Sequence, residues 1–362
     1  MKNTLDYNPS AILVDLESLP AEVLNHCQII TSSQGEGKCL NTPQIKAAMA
    51  EYGANKGKLK QPDPTLILLD FRTFAYPIFN AVTKWECLFI NACIEQPLDL
   101  YHAYYLKWLY VFTQIPDELR RFASQLQGTD DPNYRIVIVD DCPILLTDIE
   151  HLGDAYPKPL LERAKQLDKP IYWRHVYEPD YKGGRKSKPE TWQMITSSGY
   201  EAAEKLGLPI VKESYMEADD IIAQYVRDRE SYAISGLAIW TVDTDLLQLV
   251  TSDEPTPVVW YNSPFTPYYR DEEIAKQYWL KRWKHKLNHP SEIAAYKAEN
   301  GDASDNLGPG TDLGLIDLLN PKHYPRDKHS EALSYPLVNV KERDELNRNL
   351  LAELLINQLG VG

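Results

Sequence analysis

No hydrophobic run in this 362-residue chain approaches the ~20 apolar residues that a membrane-spanning helix needs. The first residues, Met1-Lys-Asn-Thr-Leu-Asp6, hold no secretory apolar stretch. Both observations lead us to expect a cytoplasmic protein with no membrane partner. Cysteine is sparse: the five (Cys27, Cys39, Cys87, Cys93, Cys142) are odd in number and show no Cys-x-x-Cys spacing. That excludes a zinc ribbon or disulfide frame and reads as reduced thiols. There is no internal repeat and no low-complexity tract. Positive charge is also short, the formal net charge being −14. Taken as a sum it argues against a polyanionic partner, but basic residues cluster locally, in Arg174-His175 with Lys182, Arg185, Lys186 and Lys188, and again in Lys281-Arg282-Trp-Lys284-His285-Lys286.

A hydrophobic share of 43% and an aromatic share of 10% are globular values. The length is enough for two domains, or for one with appendages. Residues 1–62 read as an N-terminal extension of unknown role that ends in a Lys- and Pro-containing linker. Thr65–Leu69, Arg135–Val139 and Leu237–Val242 are short apolar runs typical of buried strands, each followed by aspartate: Asp70, Asp140-Asp141 and Asp243. Long helical stretches are expected around 72–95 and 98–126. Strands separated by helices predict an α/β fold with a parallel sheet, in which ligands bind beyond the carboxyl ends of the strands. After residue 270 the pattern turns helical. Ser291 and Gly301 bracket a short helix over 292–300, and Leu307–Asn320 reads as a Gly-rich turn entering another short helix.

The acids are the most telling feature. Glu217-Ala-Asp219-Asp220, Asp243-Thr-Asp245 and Gly301-Asp302-Ala-Ser-Asp305-Asn306 each fall at the end of a predicted element. Each alone has an ordinary explanation: an acid-rich first helical turn, a capping turn, an Asx-type turn. Together with the strand-terminal aspartates they would repel one another unless cations balance them. Oxygen ligands without neighbouring His or Cys suit Mg²⁺ or Mn²⁺, not zinc. Asp70, Asp140, Glu217, Asp219, Asp220, Asp243, Asp245, Asp302 and Asp305 are too many for one such ion. They point to two, roughly 3.5–4 Å apart over one phosphate, and hence to phosphodiester hydrolysis.

In combination and order, these motifs resemble the flap endonuclease/5′→3′ exonuclease family, and the likeness covers roughly residues 65–320. It extends to Asp180-Tyr-Lys-Gly-Gly-Arg185, and Tyr172-Trp-Arg174 looks most like the T-even phage RNase H branch. The resemblance implies a PIN-like nuclease domain over 63–270 with a helical gateway at about 172–206. A helical DNA-binding region would follow over 271–362, its helix-three-turn-helix divergent. It implies the nine acids above as metal ligands, with Asp141 a rival for the Asp140 role. It also implies Lys182 and Arg185 on the scissile phosphate and Tyr181 stacked on a base. Lys186 and Lys297 would contact nucleic acid, while Lys281, Arg282 and Lys284 read equally as a solvated helix face or, from their place before the Asp302 helix, as contacts to a duplex backbone. The partners implied are flapped or branched duplex DNA and RNA–DNA hybrid, with replication proteins beyond them, in a bacterial cell or a phage-infected host. The function implied is removal of RNA primers and 5′ flaps. Two other readings stay open: a PIN-type ribonuclease acting on single-stranded RNA, and a DNA-structure-binding protein with a slow site.

Other patterns read more plainly. Ser33-Gln-Gly35-Glu-Gly37-Lys38 approaches a phosphate-binding loop, but Ser32 stands where glycine is required and Cys39 where Ser or Thr is. Tyr101, Tyr104, Tyr105, Trp108 and Tyr110 recur at near-helical spacing and read as packing.

Overall fold

The computed structural model describes residues 62–75, 77–79, 100–113, 115–145, 158–167, 169–184, 191–253, 255–262 and 268–321. The extension 1–62 (apart from Pro62), with its Gly-rich loop, therefore lies outside the described residues, as do Arg185, Lys186 and the chain beyond 321.

Thr65–Asp70 forms β1, buried on both faces, as its unbroken apolar run demands. Leu100–Thr113 (α1) and Asp117–Gln127 (α2) follow, then Tyr134–Val139 (β2), Lys158–Leu167 (α3) and Trp192–Lys205 (α4). The two-residue Ile210–Val211 (β3) leads into Ala218–Arg227 (α5), Gly236–Trp240 (β4), Val258–Asn262 (β5) and Tyr268–Arg270 (β6). Glu272–Trp283 (α6) and Glu292–Asn300 (α7) end the regular structure among the described residues. The sheet order is β3-β2-β1-β4-β5-β6, with β1 to β5 parallel and β6 antiparallel on β5.

Two apolar layers cover the sheet. On one face Phe71, Trp108 and Phe112 pack with Ile195 and Ala202 of α4, and Tyr104, Tyr105 and Trp108 are buried as packing residues. Gly199 is required there, because a Cβ would sit 2.6 Å from the Phe71 ring. On the other face Ile221, Ile222 and Tyr225 of α5 pack with Trp260 of β5, Trp279 of α6 and Ile293 of α7. No break falls at 270/271, since α6 and α7 share this core with the strands.

The expected helix over 98–126 is in fact two. Pro116 cannot donate to an interior helical bond and drives the residue before it out of helical geometry, so the chain breaks between α1 and α2. Likewise α4, counted in the gateway, is a sheet-packing helix that buries Ile195, Ser198, Gly199, Ala202 and Ala203. The short helix expected within 307–320 is a single 3₁₀ turn, Leu313–Leu315.

The rim where the parallel strands begin is tied by one side chain. Gln127 donates to Thr65 Oγ1 (3.0 Å) and Asn133 O (2.9 Å) and accepts from Asn133 N (2.8 Å).

Candidate metal centre

The opposite rim gathers the acids. Asp70 ends β1, Asp141 follows β2, Asp219 lies in the first turn of α5, Asp243 and Asp245 follow β4, and Asp302 and Asp305 follow α7. Glu217 is the N-cap of α5 in extended conformation, and its N–H donates to Asp220 Oδ2 at 3.2 Å. This closes the helix start with two acids and turns Asp219 toward the other carboxylates.

Electrostatics trace one continuous cluster. Burial pushes the Asp70 carboxyl up to about 6 despite hydrogen bonds from Thr73 and Thr241, with Asp141 and Asp243 adding to the rise. Burial, then Asp243 and Asp70, raise Asp219 well above the usual carboxylate range. Burial and Asp243 lift Asp245 to about 8 against the pull of Lys297. Burial alone would raise Asp141 too, but Lys182 and Arg72 outweigh it and hold that group low. Carboxylate oxygens of Asp245, Asp302 and Asp305 lie within 4.8 Å of one another. Buried acids that raise each other's pKa, all offering hard oxygens, fit a divalent cation: the missing charge is positive and the donors are of the right class.

Three predicted ligands are engaged elsewhere. Asp140 is fully buried and faces away from the cluster. It pairs with Arg72 Nε at 2.5 Å, accepts from Tyr200 Oη, and lies 3.6 Å from Lys212 Nζ. Side chains of successive residues leave an extended chain on opposite sides, so Asp141 faces the acids when Asp140 does not. Asp140 also fixes its neighbour, accepting the Asp141 N–H at 2.8 Å. The Asp141 carboxylate in turn accepts from Ala218 N (2.9 Å) and Tyr172 Oη (3.1 Å). Asp220 is gripped by Arg174 through both oxygens, at 2.9 and 2.7 Å, and by Trp173 Nε1 at 2.9 Å. Glu217 lies at the border of the cluster, 2.5 Å from Arg174 Nη1 and paired with Lys182.

Two expected nucleic-acid contacts, Tyr181 and Lys297, are buried. Tyr181 is buried, its hydroxyl 2.8 Å from Glu217 Oε2 and 3.1 Å from Asp305 Oδ2, so its ring is not open to a base. Lys297 is 7% exposed and spans Asp245 and Asp302 as an internal counterion. Arg174, counted in the basic cluster, is likewise buried. Lys182, at a left-handed φ of 55°, turns its ammonium among the acids. By contrast Lys281, Arg282 and Lys284 are exposed.

Sequence reading missed Arg72, Arg174 and Lys297 as internal cations, because charge alone does not say which side of the backbone a residue faces. The one available signal was the adjacency of Asp140 and Asp141, of which an extended chain can aim only one at the site.

Residues 161–279 match the family model described as 5'-3' exonuclease, N-terminal resolvase-like domain. DNA polymerase I of Mycobacterium tuberculosis is 32% identical over 136 residues, 36% of this chain and 14% of the polymerase. A 5'-3' exonuclease of Aquifex aeolicus is 26% identical over 180 residues, 44% of this chain and 58% of that protein. The chain thus spans only part of the length of these relatives. Among solved structures, the T5 D15 protein co-crystallised with metal ions aligns over 81% of this chain and 88% of its own, at 14% identity and a TM-score of 0.38. Residues 161–279 are the part of this chain that is similar to the 5'-3' exonuclease family.

Proposed function

We propose that this protein is a structure-specific 5′ nuclease that hydrolyses phosphodiesters in flapped and RNA-primed duplexes with two divalent cations. Mg²⁺ is the physiological ion, and Mn²⁺ can substitute. The observation that carries this reading is the convergence of Asp70, Asp141, Asp219, Asp243, Asp245, Asp302 and Asp305 on one rim of the sheet, where burial and mutual repulsion leave them short of positive charge.

In this reading Asp70, Asp141 and Asp219, with Glu217 at their edge, would hold one ion, and Asp243, Asp245, Asp302 and Asp305 would hold the other. Bound there, such ions would supply a water acidified for attack and neutralise charge on the phosphate. The chain's own residues do the rest. Thr73 and Thr241 fix Asp70, the latter donating at 2.7 Å. Ser304 N fixes Asp302 at 2.9 Å. Arg174 locks Asp220 and Glu217 and so holds the start of α5. Lys182 balances Glu217 until a phosphate enters, then neutralises that phosphate together with Arg185. The same chemistry serves RNA–DNA hybrids, and replication proteins are the natural source of such substrates.

Three 5′-labelled substrates, a flap duplex, an RNA-primed duplex and free single-stranded RNA, test the reading in Mg²⁺ and in EDTA. Both duplexes should be cut near the junction, only with Mg²⁺. Cutting of the free RNA alone would select a PIN-type ribonuclease, and flap binding without cutting would make this a binding protein.

The two adjacent aspartates should separate. Asp141→Asn should raise the Mg²⁺ needed for half-maximal cleavage at least ~10-fold, the scale of losing part of a metal's protein support. Asp140→Asn should instead cost about 1–3 kcal/mol in urea unfolding, because it leaves the Arg72 pairing unmade. Equal effects of the two substitutions on the Mg²⁺ titration would return Asp140 to the ligand set.

A further inference from the structure

Tyr172-Trp173-Arg174 opens the segment that leads to Lys182, and two of its members have a clear task. Trp173 and Arg174 both donate to Asp220 and hold the start of α5. Tyr172 turns elsewhere. A half-buried tyrosine has an ordinary explanation, a packed ring with a satisfied hydroxyl. Packing alone does not say why both parts of this side chain meet residues of the metal centre. Its hydroxyl donates to Asp141 Oδ2 at 3.1 Å, and the Lys182 ammonium lies 5.1 Å from the centre of its ring.

A second ring shares that ammonium. Tyr181 lies 5.2 Å from the same Nζ, so two rings are within cation–π reach while Glu217 pairs with the charge. His175 sets the spacing of the two rings. It stacks on Tyr172 with centroids 6.1 Å apart and meets Tyr181 edge-on at 5.5 Å, and its Nδ1 accepts the Tyr172 N–H at 3.0 Å. It is itself buried, so either ring moves only if this packing opens.

The backbone beneath the ammonium is fixed as well. Lys182 holds a left-handed φ of 55°, which non-glycine residues rarely adopt, and its N–H donates to Asp305 O at 2.9 Å. A lysine on an open loop keeps its rotamer freedom and loses it each time it grips a phosphate. Here that freedom is given up in folding, before any substrate arrives.

We propose that Tyr172 is a positioning residue that aims the Lys182 ammonium with its ring and steadies Asp141 with its hydroxyl. This rests on the nuclease reading above and adds the group that sets one of its cations and one of its ligands in register. Tyr172 acts on the reaction only through those two residues.

The full-length protein is compared with Tyr172→Phe, which keeps the ring and loses the hydroxyl, and Tyr172→Leu, which loses both. Mn²⁺ binding without nucleic acid is followed by water proton relaxation. Single-turnover cleavage of a flap duplex is measured at saturating Mg²⁺ and saturating DNA. Both variants should bind Mn²⁺ ~10-fold more weakly, the lower end of what losing a partner of a metal-binding carboxylate costs. At saturating Mg²⁺, Tyr172→Leu should cleave at least ~10-fold more slowly than Tyr172→Phe, because only loss of the ring frees the ammonium. In a Lys182→Met background the two substitutions should give the same rate, since the group they act through is gone. Equal rates in the parental background, or the same rate gap in both backgrounds, would overturn the proposal, as would parental Mn²⁺ affinity in Tyr172→Phe. A parent that binds Mn²⁺ but does not cut would end the nuclease reading, and the Mn²⁺ comparison would still decide for or against Tyr172. A parent that binds no Mn²⁺ would overturn both. If urea unfolding shows that Tyr172→Leu does not fold, Tyr172→Phe decides through its Mn²⁺ affinity.

Discussion

Asp219→Asn is expected to lower cleavage by at least about a thousandfold while leaving flap binding in EDTA near the parental value. Asparagine keeps the shape of the side chain and removes only its charge. The residue sits on the first turn of α5, where burial, Asp243 and Asp70 all oppose ionisation. A carboxylate kept in such a place contributes through what it attracts. Losing ~4 kcal/mol of metal-derived stabilisation corresponds to about three powers of ten in rate. The same substitution should raise the melting temperature of the metal-free protein, because it relieves the repulsion that Asp70 and Asp243 exert. For a chain of this size each kcal/mol is worth about 2–4 °C, well within calorimetric resolution. Parental cleavage would remove Asp219 from the centre. A lowered metal-free melting temperature would mean that its carboxylate is internally bonded and not repelled.

The second large effect is a reversal of the usual acid-side pH dependence. Asp70 (about 6) and Asp245 (about 8) both lie above the ordinary carboxylate value of 3.8. Between that value and their own, the folded protein holds protons that the unfolded chain has released, so their contribution to metal-free stability falls as pH rises from about 4 to 8. Asp141 and Asp302 are shifted down, and their contribution is lost only as pH drops below 3.8, outside this window. Buried His175, lowered to about 4, works the other way up to its ordinary 6.5, so melting temperatures in EDTA should decline from about pH 6.5 to pH 8. Added Mg²⁺ competes with those protons, so its stabilisation should grow over the same range. At a hundredfold excess over its dissociation constant it reaches about 2.7 kcal/mol. A flat profile in EDTA, or a Mg²⁺ increment that does not depend on pH, would show that these acids are not short of cations.

The sequence was most legible where burial is complete. β1, β2 and β4 were each read to within two residues, because strands covered on both faces must be continuously apolar. The helix over 292–300 was also read with its bounds, since Gly301 at φ 83° ends it where the chain must turn. Its start was read rightly for a reason that does not hold. The Ser291 hydroxyl caps nothing, and Glu292 instead accepts from the Asn288 backbone and side chain. β3 escaped because two residues make no pattern, and β5 because Pro255 and Pro257 break the run leading into it. In the metal centre the acids announced themselves by density. The cations among them did not, because Arg174 and Lys297 look like surface residues until the fold shows what they span. The bias of that error is physical: a lone positive charge in sequence is read as meeting solvent, and here the carboxylates had already claimed it.

The Gln127 knot offers a practical handle. All five parallel strands run from that rim toward the acids, and six residues of β1 at ~3.3 Å each set the two rims about 20 Å apart. A fluorophore or surface tether at the exposed Asp130, in the turn beside the knot, would sit on the rim opposite the acids. Single-molecule attachment at that point should leave turnover untouched.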